Sequence, residues 1–104
     1  MIFIKIGDEE RDFNSSSEQW ITQKINSRRR DGVPVCARVR IVHGDASMVL
    51  QTPGCTSSGG GGGGWNPNQI QQRIYDLWMQ RRLNVIDFAP GELIAFLKHI
   101  ARTL

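Results

Sequence analysis

The sequence predicts an α+β domain: a small three-stranded sheet, ordered β-α-β-β, with a C-terminal helical hairpin packed against it. Three observations predict it. Apolar residues alternate over Ile2–Ile6, a second alternating run from Val35 to Val42 is followed by Met48-Val49-Leu50, and two stretches of helical spacing lie beyond a glycine-rich break. At 104 residues the chain has material for one core, and 39% hydrophobic with 22% charged residues is ordinary globular usage. We expect a single domain over 1–104, divided into a β-α-β-β half (1–55), a flexible glycine-rich loop (56–64) and a helical hairpin (65–104).

Ile2, Ile4 and Ile6 form one face of the first strand, which Gly7-Asp8 ends. Asp8, Glu9, Glu10 and Asp12 lack the ligand spacing of a calcium loop and read as a solvated acidic loop. Ser15 with Glu18, or Ser16 with Gln19, offers a capping box ahead of Trp20, Ile21 and Ile25, so a helix begins there. It ends in Arg28-Arg29-Arg30, with Gly32 in the left-handed closing position. If the strands on either side of this helix pair in parallel, it forms a right-handed crossover.

In the second strand Val35, Ala37, Val39 and Ile41 share the inward face, and Cys36, Arg38, Arg40 and Val42 the outward one. A two-residue Gly44-Asp45 turn then sets a hairpin register: Ile41 opposite Met48, Val39 opposite Leu50, Ala37 opposite Thr52. On the outward face Arg40 meets Val49, Arg38 meets Gln51, and Cys36 meets Pro53, with Cys55 one pleat further.

Six successive glycines, Gly59 to Gly64, neither pack a core nor pre-order a backbone, so 56–64 is expected to be a slack connector. Asn66 as N-cap, Pro67 at the first helical position and a Trp65–Ile70 staple restart order in a helix from about Pro67 to Arg82. A last helix starts at Pro90, with Phe88 stapled onto Leu93 and a buried stripe of Leu93, Phe96, Leu97, Ile100 and Leu104.

A net charge of +3, from 13 basic and 10 acidic residues, demands neither a nucleic acid nor a membrane as partner. No stretch approaches the ~20 apolar residues of a membrane span, and Met1 to Ile6 runs into acid too soon for a secretory signal. A cytoplasmic protein with no membrane partner is the expectation.

The glycine run lacks the Lys and Ser or Thr of a Walker-type loop, and there is no GxSxG elbow. His43 lies at the far end of a strand from Cys36, so the cysteines gain no histidine for zinc. We therefore expect no enzyme, cofactor or metal. Cys36 and Cys55 share a face and read first as unreactive thiols, with a disulfide or redox pair as the alternative.

Two binding surfaces remain. Phe3, Lys5, Arg38, Arg40 and Gln51 combine an aromatic, cations and an amide on the outward sheet face. Tyr75 and Met79 widen the apolar flank of the helix after the glycines. The leading expectation is a non-catalytic interaction or regulatory module whose partner is another protein or a second copy. The alternative is RNA or single-stranded DNA binding through the sheet face. Against it stand a single aromatic on that face and the outward Val42 and Val49, which invite cover from the C-terminal helices.

Overall fold

The computed structural model describes residues 1–55, 69–81 and 88–104. Over these the elements are β1 (Ile2–Ile6), β2 (Glu9–Asp12), α1 (Glu18–Arg30), β3 (Ala37–His43), β4 (Ala46–Gln51), α2 (Gln69–Arg81) and α3 (Pro90–Thr103). The expected glycine loop at 56–64, the Asn66 cap, the Trp65–Ile70 staple and the connection after α2 lie outside the described residues. The fold is α+β with three helices, as the sequence predicts, but its sheet has four strands rather than three, in the order β2-β1-β3-β4.

The additional strand is the acidic segment expected to be a loop. Ile6 pairs with Glu9 around a two-residue Gly7-Asp8 turn, and Gly7 adopts the left-handed φ of 65° that such a turn requires. The β3–β4 hairpin repeats this device: His43 pairs with Ala46 around Gly44-Asp45, and Gly44 has φ 63°. β2 is exposed along its whole length and carries Glu9, Glu10, Arg11 and Asp12, a composition that blunts an edge strand against pairing with other chains.

Because β2 reverses the chain before α1 begins, β1 pairs antiparallel with β3 rather than in parallel. β2 and β3 then run in the same direction on either side of β1, and α1 is the connection that crosses between them. The terminal ammonium of Met1 donates to the Val42 carbonyl at 2.8 Å, fastening the start of β1 to the end of β3.

The entry to α1 differs from the two expected capping boxes. Helical bonding begins with the Ile21 amide on the Ser17 carbonyl, and neither Ser15 nor Ser16 caps it. Asn14 takes over, its Oδ1 accepting from the Ser16 and Ser17 amides at 2.9 and 3.0 Å. At the other end Gly32, with φ 69°, closes the helix as expected. The Gly32 amide donates to Arg29 and the Val33 amide to Arg28, the two bonds of a Schellman motif.

One face of the sheet builds the core. Ile2, Ile4 and Ile6 of β1, Ala37, Val39 and Ile41 of β3, and Met48 and Leu50 of β4 are all buried there. Against them pack Trp20, Ile21 and Ile25 of α1, Ile74 and Trp78 of α2, and Leu93, Phe96, Leu97 and Ile100 of α3. Each full burial of a side chain of this size contributes about 1.5–3 kcal/mol, so the helices are held by this face and not by helix propensity. Trp78 meets Phe96 edge-on at 5.1 Å, joining α2 to α3. α2 also carries a fully buried amide, Gln71, whose Nε2 donates to the carbonyls of Ile41 and Ala46 at 3.1 and 3.2 Å.

The opposite end of the β3–β4 hairpin is closed by Thr52, Gly54 and the cysteines. Thr52 is buried, and its hydroxyl accepts the Ala37 amide at 2.9 Å and donates to the Val35 carbonyl at 3.0 Å. Gly54 lies against the Val35 backbone so closely that a Cβ would run into the Val35 carbonyl. Only glycine allows this approach, and the approach carries Cys55 back to Cys36. The two are joined in a disulfide with Cα atoms 4.4 Å apart. The reading as unreactive thiols is thereby corrected. Proximity followed from the register, but the bond depends on the Thr52–Gly54 turn, which alternation along a strand does not reveal.

Candidate functional site

All three helices pack on one side of the sheet, and among the described residues no helix covers the other. The alternation that buries Ile4 and Val39 turns Phe3 and Lys5 of β1 and Arg38, Arg40 and Val42 of β3 outward. Ser47, Val49 and Gln51 of β4 join them, as do Glu10 and Asp12 of β2. Two rows cross all four strands: Asp12–Phe3–Arg40–Val49 and Glu10–Lys5–Arg38–Gln51. The expected surface of Phe3, Lys5, Arg38, Arg40 and Gln51 is thus assembled in adjacent positions. Among the described residues the C-terminal helices do not cover it, and Val49 is 50% exposed.

In the first row Arg40 is satisfied by Phe3 beside it and by Glu10 of the other row. The Arg40 guanidinium stands 4.2 Å from the centre of the Phe3 ring, and its Nη2 reaches Glu10 Oε1 at 3.1 Å. Both interactions are solvent-exposed and contribute about 1 kcal/mol or less each. Their larger effect is to occupy one face of the Phe3 ring, the only aromatic on this side of the sheet among the described residues.

The second row is not satisfied. Lys5 and Arg38 are directly cross-strand partners on the outward face, and neither makes an ion pair among the described residues. Like charges placed directly opposite destabilise a ladder. Glu10, on the far side of Lys5, is engaged by Arg40 instead. Gln51 extends the row with an exposed amide.

The remaining sequence-predicted residues lie elsewhere. Tyr75 is half-buried against the core on the helical side of the sheet, so it does not adjoin the outward face. The side chain of Met79 lies outside the described residues. Glu10 and Asp12 were missed as members of the face. The Gly7-Asp8 turn was the signal for them, hidden because a wholly charged strand shows no apolar alternation.

On the β2 edge, Lys24 of α1 holds Glu9 at 2.8 Å and Arg11 holds it at 3.3 Å. The hydrogen bond from Lys24, then its charge, keeps the Glu9 carboxyl below its ordinary 4.5. Arg11 also lies 4.8 Å over the ring of Trp20, whose buried Nε1 has no hydrogen-bond partner among the described residues. A groove of about 610 Å³ runs beside Thr22, Gln23, Asn26, Arg29 and Arg30. These all belong to α1, so its described border is one helix face and converges on no point. Among the described residues no three His, Cys, Asp or Glu side chains are placed to hold a metal, and no helix is long and apolar enough to cross a membrane. No protein-family model, curated protein or solved structure matches the chain.

Proposed function

We propose that the chain is a non-catalytic protein-binding module and that the outward sheet face is its docking surface. The observation that carries this reading is a four-stranded sheet that the described helices pack on one side only, with half-exposed Val49 among cations and carboxylates on the other. Arginine is enriched at protein-contact surfaces, and a polar rim surrounds their apolar centre. Single-stranded nucleic acid fits it less well, because Arg40 occupies the Phe3 ring and Glu10 and Asp12 would repel a phosphate chain.

The disulfide favours a compartment in which thiols oxidise over the cytoplasm expected from composition. The test of the binding reading is affinity isolation from the native source with the natural chain and with Val49→Asp. A protein retained by the first and lost by the second supports it. Capture that ignores Val49→Asp, or recovery of nucleic acid alone, overturns it.

A further inference from the structure

We infer that the row Lys5–Arg38–Gln51 is a carboxylate-recognition site, and that the partner presents an acidic polypeptide segment to it. This rests on the protein-binding reading above and names the chemistry of its partner.

Lys5 and Arg38 form an unfavourable arrangement that no ion pair among the described residues relieves. Lys5 and Arg38 are cross-strand partners, so their Cα atoms lie about 4.5–5.5 Å apart and their side chains rise from the same face. Both are cationic, and neither makes an ion pair among the described residues. Glu10 is the next residue along the row from Lys5, yet it is drawn diagonally to Arg40. A sequence selected only for stability would place an acid or a neutral residue at position 5 or 38. Two adjacent unneutralised cations are instead complementary to an anion brought by another molecule.

The neighbours decide which anion. Arg38 offers a planar fork that binds a carboxylate through two parallel hydrogen bonds, Lys5 supplies a point charge beside it, and Gln51 supplies an uncharged donor on the next strand. Glu10 and Asp12 border this cluster on β2 and disfavour a continuous polyanion, whereas discrete carboxylates spaced along a polypeptide can avoid them. Val49, next to Gln51 along the outward side of β4, gives an aliphatic side chain of the same segment a place to rest.

The experiment uses the full chain and a labelled 12-residue peptide of alternating glutamate and serine, followed by fluorescence anisotropy at low salt. A lysine–serine peptide and a 12-nucleotide oligothymidylate serve as comparisons. The glutamate peptide should bind, weaken as salt is raised, and lose at least tenfold in affinity with Lys5→Gln/Arg38→Gln, while the lysine peptide does not bind. Absence of binding, or binding indifferent to the double substitution, overturns the inference.

Arg38→Glu separates recognition from folding, since it places opposite charges across the ladder. It should abolish peptide binding with the melting temperature unchanged or raised, and a clear fall in melting temperature would show Arg38 to be structural and overturn the inference. The protein-binding reading fails separately. If the partner captured from the native source depends on Val49 but not on Lys5 and Arg38, that reading stands and the acidic partner is wrong. Oligothymidylate binding that needs Lys5 and Arg38 overturns both.

Discussion

Thr52 and Ala37 are joined twice: the Thr52 amide donates to the Ala37 carbonyl at 3.1 Å, and the Ala37 amide donates back to the Thr52 hydroxyl at 2.9 Å. A side chain here completes a ladder that the backbone alone would leave open. Replacing it with Val keeps the shape but orphans the buried Ala37 amide and a bond to Val35. Thr52→Val should lower unfolding free energy by about 1–3 kcal/mol, and Thr52→Ser by much less. Urea denaturation reads this as a drop in midpoint at constant slope.

The Cys36–Cys55 bond spans a sequence separation of 19 residues. Constraint of the unfolded chain by a loop of that size is worth about 3 kcal/mol. Reduction with a dithiol, or Cys36→Ser/Cys55→Ser, should lower stability by that order while leaving the β3–β4 ladder intact. Denaturation with and without reductant, with thiol counting, makes the check.

Gly54→Ala should destabilise by about 1–3 kcal/mol, because the added methyl meets the Val35 backbone rather than a side chain that could swing away. The same substitution at Gly91, where a Cβ would meet nothing within 4 Å among the described residues, is the control and should be neutral or mildly stabilising. Thermal melts of the two variants give the comparison.

Gln71 is wholly buried and bonds two carbonyls at the end of the β3–β4 hairpin. Both carbonyls also belong to hydrogen-bonded pairs of the β3–β4 ladder, so Gln71→Leu removes two side-chain bonds without orphaning them and should cost about 1–3 kcal/mol. The loss falls where α2 meets the sheet, so hydrogen exchange should accelerate in α2 before it does in β1 and β3.

Glu9 is held below its ordinary 4.5 chiefly by the hydrogen bond from Lys24. A carboxylate whose folded value is depressed stabilises the fold above the unfolded value and loses that contribution as pH falls through the folded one. The Glu9–Lys24 pair therefore acts in full above 4.5 and is lost below it. In an NMR titration Lys24→Gln should move the Glu9 midpoint up toward 4.5, with Arg11 retaining a small residual effect.

Much of the sheet was legible because a buried face imposes a period of two. The pairs Ile41–Met48, Val39–Leu50, Arg40–Val49 and Arg38–Gln51 all follow from placing apolar residues on one side of a Gly44-Asp45 turn. The same reasoning missed β2, although Gly7-Asp8 repeats that turn. Glu9 to Asp12 is an edge with no apolar side chain to bury, and alternation cannot report a strand that has none. With β2 absent, the direction of β1 relative to β3 could not be derived.

The candidate face divides in the same way. Periodicity alone determined that Phe3, Lys5, Arg38, Arg40 and Gln51 share one side, since each neighbours a residue the core requires. Tertiary structure decided that this side is the one the described helices leave open, that Glu10 takes Arg40 and leaves Lys5 against Arg38, and that Tyr75 packs on the opposite side. It also decided the state of Cys36 and Cys55, through the Gly54–Val35 approach. Burial leaves a period in the sequence, whereas pairing among exposed charges and the closing of a turn depend on which strands become neighbours.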